Sequence, residues 1–383
     1  MSDEALARCV GDPDAFLAEA WEARVHLHRG ADAADLLSLD AVDGLLAGAA
    51  LRAPAFRLVK DGSPIEPSRY LRRARVGSRT ITDLIDPGRV HALFADGATV
   101  VLQGLQRYWP PLSAFCRALE LDLTHPVQAN AYLTPPGAAG LNVHADAHDV
   151  FALQTYGRKH WTAWERFADL GALGDPVLDD TLVEGDALYV PRDTPHLVRT
   201  LDAPSLHITV GIRVHTWRDA LARGLADALD DDALDRALPV GWTQDPSGLS
   251  GELSHLIEQV TARLAATDRR AALEGLADDF IGERPPLLAG QLREILALED
   301  IDDDTMLRRR AGAICRTTRT SEHVVLILGD RRLTFPAHAW HALRLVERSE
   351  SFTVRDLSPY LDERGRGVLA RRLVAEGLLV RGG

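Results

Sequence analysis

The chain has 383 residues, which is more than one ordinary hydrophobic core holds, so we expect two or three domains. With 46% hydrophobic and 26% charged residues, the composition is typical of a globular protein and excludes a disordered or fibrous chain. The formal net charge of -13 at pH 7 disfavours nucleic acid or an anionic membrane as the primary partner, because like charges repel at long range.

The cysteines and the N-terminus indicate the compartment. Cys9, Cys116 and Cys315 are an odd, widely scattered set that fits neither a disulfide framework nor a thiolate zinc site, so we expect reduced thiols. The N-terminus is acidic and unlike a secretory signal, and the sequence contains no run of about 18 uncharged apolar residues that could form a membrane helix. We therefore predict a cytoplasmic protein without a membrane span.

The N-terminal part alternates between helical and extended patterns. Apolar residues at helical spacing between positions 14 and 21 precede an alternating run from Val25 to His28. Further helices are predicted at 35–51 and 112–121, with short strands at 56–59 and 98–102. This order predicts mixed α and β packing around a central element.

From Val127 to Arg213 the sequence consists of short runs of β-branched and aromatic residues. Turn residues separate these runs at 135–137, 156–157, 184–186 and 202–204. Short strands at such regular spacing are typical of a barrel or jelly roll.

The rest of the chain divides into a helical part and a mixed part. Helices are predicted at 216–229, 249–266 and 271–280. After Pro285-Pro286, a hairpin at 324–328 and 333–335 precedes helices at 338–347, 354–360 and 367–377. A small hairpin beside three helices is winged-helix-like. The sequence thus predicts an α+β protein with domains at 1–215, 216–284 and 285–383.

Three side chains form a candidate metal site. His144 and Asp146 are two residues apart, which in a strand places both side chains on one face. A second histidine, His196, begins another strand about 50 positions later. Two histidines and one carboxylate form a facial triad, which leaves open positions on Fe(II) for a bidentate 2-oxo acid and dioxygen. Nearby His148 and Asp149 are rivals, but their spacing would require a bulge to reach the same metal.

Polar residues of the predicted barrel strands suggest an anionic ligand. Asn130, Tyr132 and Thr134 share one face of the strand at 127–134, and Lys159 and Thr209 come from two later strands. A barrel interior lined by such groups is costly unless it binds something polar and anionic. A dicarboxylate suits this lining.

Ordered motifs in the same region resemble the JmjC ribosomal oxygenases, a family of cupin-like proteins. They are Asn130-x-Tyr132, His144-x-Asp146, Asp149-Val150-Phe151-x-Leu153-Gln154, Gly157-x-Lys159-x-Trp161 and the distal His196. The resemblance implies a JmjC/cupin double-stranded β-helix at 1–215, a helical dimerisation domain at 216–284 and a winged-helix domain at 285–383. It also implies that Lys159 pairs with the distal carboxylate of 2-oxoglutarate, and that Tyr132, Asn130 and Thr209 complete the pocket.

The reaction that the resemblance implies is hydroxylation of an amino-acid side chain. The enzyme would use Fe(II), 2-oxoglutarate and dioxygen, and its substrate would be a ribosomal protein, with arginine or histidine favoured as the target. A homodimer through the helical region is also implied. Hydroxylation of a peptide natural-product precursor is an alternative within the same chemistry, and demethylation of a methylated lysine or arginine also begins with C–H hydroxylation.

Two non-enzymatic alternatives remain open at this point. One is a DNA-binding regulator whose barrel is a sensor, suggested by Arg364, Arg366, Arg371 and Arg372 near the last predicted helix. Interleaved acidic residues favour a solvated helix instead. The other is a catalytically silent scaffold, against which the intact triad and Lys159 argue.

Overall fold

The structure is a computed structural model that describes residues 4–48, 51–138 and 142–382. The chain divides into two compact units, Met1–Val214 and His215–Gly383. Among the described residues, no helix combines the length and apolar character needed to cross a membrane.

The first unit contains five α-helices and twelve β-strands within its described residues. The helices are α1 (Glu4–Val10), α2 (Pro13–Glu19), α3 (Leu39–Gly48), α4 (Pro87–Ala95) and α5 (Pro110–Leu123). The strands are β1 (His26–Arg29), β2 (Phe56–Lys60), β3 (Ser63–Pro64), β4 (Leu71–Val76), β5 (Arg79–Ile85), β6 (Thr99–Leu102), β7 (Val127–Thr134), β8 (Asp149–Ala163), β9 (Leu178–Val183), β10 (Asp186–Val190), β11 (His196–Arg199) and β12 (Ser205–Ile212).

A ten-stranded sheet organises this unit. Its main path runs β1-β10-β8-β12-β7-β6-β2-β3, and β9 and β11 pair with β8 off that path. The two halves of the long strand β8 therefore belong to different faces of the barrel: Asp149–Gly157 pairs with β12, and Arg158–Ala163 pairs with β9. This arrangement places the second half of β8 opposite the main sheet and encloses a cavity.

Gly157 makes the change of direction in β8 possible. Its φ is 64°, and a Cβ at this position would lie 1.9 Å from the carbonyl oxygen of Pro204. Only glycine tolerates both this left-handed conformation and so close an approach of another backbone. The bend directs Lys159 and Trp161, which follow Gly157 on β8, into the cavity.

The helices of the first unit cover the outer face of the sheet. Phe16 of α2 packs against Phe151 and Tyr189, and the core also includes Leu112 and Leu119 of α5. Both helices begin with a proline, which suits the first turn because the missing N–H has no partner there. Burial on the outer face leaves the inner face of the sheet available for polar side chains.

The second unit continues with helices followed by small sheets. Its helices are α6 (Trp217–Leu229), α7 (Ser250–Ala266), α8 (Arg269–Gly282), α9 (Gln291–Leu296), α10 (Trp340–Arg348) and α11 (Glu363–Ala375). Its strands are β13 (Met306–Arg309), β14 (Arg316–Arg319), β15 (His323–Leu328), β16 (Arg331–Pro336), β17 (Ser351–Thr353) and β18 (Leu379–Arg381). They form two three-stranded sheets, β17-β13-β18 and β14-β15-β16, over a shared core with α10 and α11.

Several boundaries differ from the sequence-based prediction. The helix expected at 35–51 begins only at Leu39, because the Ser38 hydroxyl accepts a hydrogen bond from the Ala41 N–H and caps it there. The helix expected at 354–360 is a 3-10 turn that ends at Leu357, since Pro359 has no N–H to continue the hydrogen bonds of a helix. The two-stranded ribbon of β4 and β5 was not predicted at all. By contrast, β7 matches the predicted strand at 127–134.

Candidate active site

The structure brings His144, Asp146 and His196 together. One possible ligand atom from each side chain can be chosen so that all three lie within 4.8 Å of one another. The prediction that His144 and Asp146 share a regular strand is wrong: His144 forms a single bridge with His196, and Asp146 lies in the loop that follows. Pairing stops there because the carbonyl of Asp146 accepts the N–H of Asp193, from the loop before β11, at 2.8 Å.

Backbone hydrogen bonds hold the three side chains in place. The His144 N–H donates to the His196 carbonyl at 3.2 Å, and the His196 N–H donates back to the His144 carbonyl at 2.8 Å. These bonds and the Asp193–Asp146 bond connect the segment of His144 and Asp146 to the loop before β11 and to His196, the first residue of β11. The arrangement is thus built from the main chain and does not depend on side-chain packing alone.

The histidine tautomers suit metal binding. Nδ1 of His144 lies 2.8 Å from the carbonyl of Asn142, and Nδ1 of His196 lies 3.0 Å from the carbonyl of Thr194. Each Nδ1–H can donate to its carbonyl, which leaves both Nε2 lone pairs free as ligands. Burial lowers the pKa of His196, which favours the neutral imidazole that a metal requires.

This donor set fits Fe(II). Two neutral imidazoles and one carboxylate are the ligands of non-haem iron oxygenases, and they leave adjacent positions for other ligands. The carboxylate oxygen of Asp146 lies 3.6 Å from Nε2 of His196, a separation that one shared cation can bridge. The side chain of Asp146 is 33% exposed and that of His196 only 5%, so the metal position lies where the cavity opens toward solvent.

The cavity beside the triad has a volume of about 280 Å³, which suits a small ligand. Three nitrogens on its wall are buried without a hydrogen-bond partner among the described residues: Nδ1 of His148, Nε1 of Trp161 and Nδ1 of His207. Buried polar atoms are usually paired. The presence of three such atoms in one cavity fits a polar occupant. The lining consists of Arg57, Val59, Thr99, Val101, Asn130, Tyr132, Thr134, His144, Asp146, His148, Val150, Lys159, Trp161, His196, Val198, His207 and Thr209.

Lys159 provides a cation deep in this cavity. Its Nζ donates to the Thr134 hydroxyl at 3.2 Å, and the Thr99 hydroxyl donates to the same oxygen at 3.2 Å. The residue is 4% exposed and has no carboxylate partner within the described ranges, and burial lowers its pKa to about 7. An anionic ligand would offset the cost of burying the ammonium.

Tyr132 and His207 form one wall of the cavity. Their rings stack with centroids 5.1 Å apart and an interplanar angle of 9°, and His207 meets Trp161 edge-on. Burial, with a smaller effect from the charge of Lys159, holds the pKa of His207 well below its usual value. Burial also raises the pKa of Tyr132. Both groups are therefore neutral near pH 7 and can act as hydrogen-bonding groups.

The remaining predicted pocket residues also line the cavity. Asn130 pairs in register with Thr209 across β7 and β12. The amide oxygen of Asn130 accepts the Gly104 N–H at 3.0 Å, so this side chain also holds the turn that precedes α5. Its amide nitrogen and the hydroxyl of Thr209 remain as candidate ligand contacts.

Sequence reasoning missed Arg57, and the two residues that it left out of the triad, His148 and Asp149, have other contacts in the structure. Arg57 of β2 lines the cavity, its charge acts to lower the pKa of Tyr132, and it has no carboxylate partner in the described parts of the chain. No motif marks it, because β2 is far from the triad in sequence. His148 packs over the bare face of Gly211, and the Asp149 carboxylate accepts from the Tyr189 hydroxyl and the Arg192 N–H.

Comparisons with known proteins confirm the resemblance to JmjC ribosomal oxygenases. Residues 106–220 match the family model of the JmjC domain. Ribosomal oxygenase 2 of Bos taurus is 27% identical over 317 residues, which are 72% of this chain and 66% of that protein. The bifunctional lysine-specific demethylase and histidyl-hydroxylase NO66 of Dictyostelium discoideum is 34% identical over 179 residues, or 41% of this chain and 35% of that protein. The chain thus spans slightly less than two thirds of ribosomal oxygenase 2.

The fold is similar to that of a solved bacterial protein. The Escherichia coli ribosomal oxygenase YcfD, in complex with cobalt and 2-oxoglutarate, superposes with a TM-score of 0.57 at 21% sequence identity. The match covers 97% of this chain and 98% of YcfD. The chain therefore has a JmjC/cupin-like fold with mixed helices and sheets.

Proposed function

We propose that this protein is an Fe(II)- and 2-oxoglutarate-dependent oxygenase that hydroxylates an amino-acid side chain of a ribosomal protein. The observation that carries the proposal is the position of Lys159, a buried cation without a carboxylate partner among the described residues, in the same cavity as the triad. A dicarboxylate held at one end by the ammonium can reach the metal position at the other. His144, Asp146 and His196 would hold iron, which when bound supplies the oxidation chemistry.

The side chains around the metal would orient the cosubstrate and exclude water. Lys159 and Thr134 would bind the distal carboxylate of the cosubstrate. Asn130, Tyr132 and Thr209, which lie on β7 and β12, would contact the rest of the molecule. The rings of Trp161 and His196 stack with centroids 5.9 Å apart, and this contact limits rotation of the His196 side chain. The protein's part in the reaction is then to hold the reacting groups close together in one orientation.

The substrate class rests on the relatives. Ribosomal oxygenases 1 and 2 and the histidyl-hydroxylase NO66 are all similar to this chain, so a ribosomal protein with histidine as the target is favoured. Arginine is the other target that the sequence resemblance implies. A basic substrate suits an enzyme with a net charge of -13. Such a substrate would place the enzyme in the cytoplasm. NO66 is also described as a lysine-specific demethylase, so demethylation is the second candidate.

A direct assay tests this function. We expect the iron-loaded protein in air to convert 2-oxoglutarate to succinate, and basic ribosomal-protein peptides to stimulate the conversion. Mass spectrometry of the stimulating peptide should show a gain of one oxygen atom. A loss of methyl groups from a methylated peptide would support the demethylase instead, and no succinate under any of these conditions would contradict the proposal.

Binding of the cosubstrate should depend on pH through Lys159. Burial lowers its pKa to about 7, and a bound carboxylate would favour the ammonium and raise that pKa. Above pH 7 the free amine is mostly neutral, so binding at pH 8 should take up about 0.9 proton and affinity should fall about tenfold per further pH unit. Below about pH 6 the ammonium is already present, and this dependence should disappear.

Calorimetry measures the proton uptake. Binding of 2-oxoglutarate to the Ni(II)-loaded protein at pH 8 should show different apparent enthalpies in phosphate and in Tris, because the two buffers ionise with different heats. The Lys159→Met variant is the control and should show no buffer dependence in any residual binding. Equal enthalpies for the unaltered protein in both buffers would rule out Lys159 as the titrating group.

We further propose that residues 216–284 form a dimerisation domain and residues 285–383 a winged-helix domain with a structural role. Four apolar side chains of α6 recur every four residues on one face of the helix, and all four are exposed: Trp217, Leu221, Leu225 and Leu229. Such a stripe favours burial in a second copy. In the C-terminal part, Arg366 pairs with Asp303 and Arg372 with Glu376, which leaves these two arginines less available for DNA.

The dimer has its own test. We expect the protein to sediment as a dimer and the Trp217→Asp/Leu221→Asp variant as a monomer, because two carboxylates would have to be buried in the interface. Leu292→Asp is a suitable control, since Leu292 is a 77% exposed apolar residue on α9. Monomeric behaviour of the unaltered protein at micromolar concentration would contradict the proposal.

A further inference from the structure

The ribbon of β4 and β5 is an isolated basic element in an acidic protein. The two strands form a sheet of their own, and the segment 69–79 contains five arginines and no carboxylate. All five are exposed. They are Arg69, Arg72, Arg73, Arg75 and Arg79.

These arginines lack the partners that arginines have elsewhere in the first unit. Arg8 pairs with Asp35, and Arg52 pairs with Asp83 at the base of the ribbon. Within the described residues, no ribbon arginine forms an ion pair. In the part of the chain that the structure describes, Arg72 and Arg75 donate only to main-chain carbonyls, those of Ile85 and Gly77, so no ion pair offsets their positive charge.

Two of the arginines share one face of the ribbon. Between the pairs Arg72–Leu84 and Ala74–Ile81, β4 has one residue and β5 has two, so the extra residue of the β-bulge lies on β5 and β4 keeps its regular alternation. Arg73 and Arg75 are two positions apart on β4 and therefore point to the same face, which Thr80, the partner of Arg75, also shares. Arg72 points to the opposite face, together with its buried partner Leu84.

The face so formed has the chemistry of a phosphate-binding surface. Thr80 and Thr82 alternate on the same side of β5 and add two hydroxyl groups between the guanidinium groups, and both are exposed. Arginine and threonine side chains are frequent donors to nucleic-acid phosphates. Toward the tip this face exposes no apolar side chain, whereas protein interfaces have an apolar centre.

We propose that the face of the β4–β5 ribbon that carries Arg73, Arg75, Thr80 and Thr82 binds the phosphate backbone of RNA. The choice of RNA over DNA rests on the proposed function, since a ribosomal-protein substrate is found together with ribosomal RNA. The net charge of the chain disfavours nucleic acid as the main partner, and the ribbon is a local exception to it. The ribbon would increase the affinity of the enzyme for a protein substrate that is still associated with RNA.

Binding to RNA can be measured without turnover. We expect the full-length protein to bind a fluorescently labelled single-stranded RNA of about 20 nucleotides at 50 mM salt in an anisotropy titration, and to lose affinity steeply at 200 mM. Arg73→Gln/Arg75→Gln should weaken binding at least about tenfold and reduce the salt slope by about 1.4, as the loss of two phosphate contacts predicts.

A matched control removes the same charge elsewhere. Arg308 of β13 and Arg332 of β16 are exposed strand arginines without an ion pair in the described ranges, so Arg308→Gln/Arg332→Gln should bind RNA like the unaltered protein. Thermal unfolding of both variants checks that the fold is retained.

Three results would overturn the proposal: no RNA binding at 50 mM salt, equal weakening in the control variant, or equal or tighter binding of single-stranded DNA or of polyglutamate. Succinate formation by the same preparations is a separate readout. Turnover without RNA binding would reject the ribbon alone, and RNA binding without turnover would reject the proposed oxygenase alone.

Discussion

Replacing His196 by alanine is expected to reduce succinate formation more than about 100-fold, since even residues that only support metal ligands are typically worth 10- to 100-fold. The variant should also lose stoichiometric iron, measured as metal bound per chain after dialysis. Because main-chain hydrogen bonds join His144 to His196 and Asp146 to Asp193, we expect the fold to survive with only a modest fall in melting temperature.

His160→Ala is a suitable control for this variant. His160 lies on β8, where its ring bonds Thr181 and Asp179 outside the cavity, so its loss should leave iron content and turnover unchanged. An His196→Ala protein that retained full iron and activity would contradict the ligand assignment. His148, which also lines the cavity, would then be the next residue to replace.

Replacing Lys159 by methionine should raise the dissociation constant for 2-oxoglutarate about 100-fold, because the variant removes the buried partner of a carboxylate. The thermal stability of the ligand-free protein, in contrast, should stay the same or rise. At or below pH 7 the ligand-free protein holds a buried ammonium, whose pKa is lowered to about 7, and methionine of similar length removes that cost. We expect an unchanged or higher melting temperature together with the loss of affinity.

The sequence offers a matched control for this result. Lys60 and Lys159 are the two lysines of the chain, and Lys60 pairs with Asp96 on the surface. Lys60→Met should leave 2-oxoglutarate binding unchanged. Lys159→Arg tests whether charge alone suffices, since guanidinium also pairs with carboxylates but needs more space. Tight binding by Lys159→Met would contradict the proposed role of this residue.

The elements predicted well from sequence are those with strong local signals. The polar and apolar alternation of Val127–Thr134 defined β7 to the residue, and a capping box at Thr216 and Asp219 marks the start of α6. The three triad residues could be selected because their types and order suit one metal chemistry. What local patterns could not provide was the pairing that assembles them, which depends on loops far apart in sequence.

The features that the sequence did not predict have a common cause. The segment Leu71–Val76 is rich in arginine and lacks alternation, so nothing predicted the ribbon, whose bulge depends on its partner strand. Arg57 reaches the cavity only because β2 joins β6 and β6 joins β7. The path of the chain at His144 and Asp146 is set by main-chain hydrogen bonds to His196 and Asp193. Each of these features depends on tertiary pairing.

The strand order of the main sheet has a consequence for how relatives diverge. Arg57, Thr99 and Val101 belong to the cavity wall but precede residues 106–220, the part that matches the JmjC family model. The matched part is therefore not a self-contained catalytic module, and a fragment limited to it would leave one side of the chamber open. Relatives that share the three residues of the triad can then differ in specificity through a wall that lies outside the matched motifs.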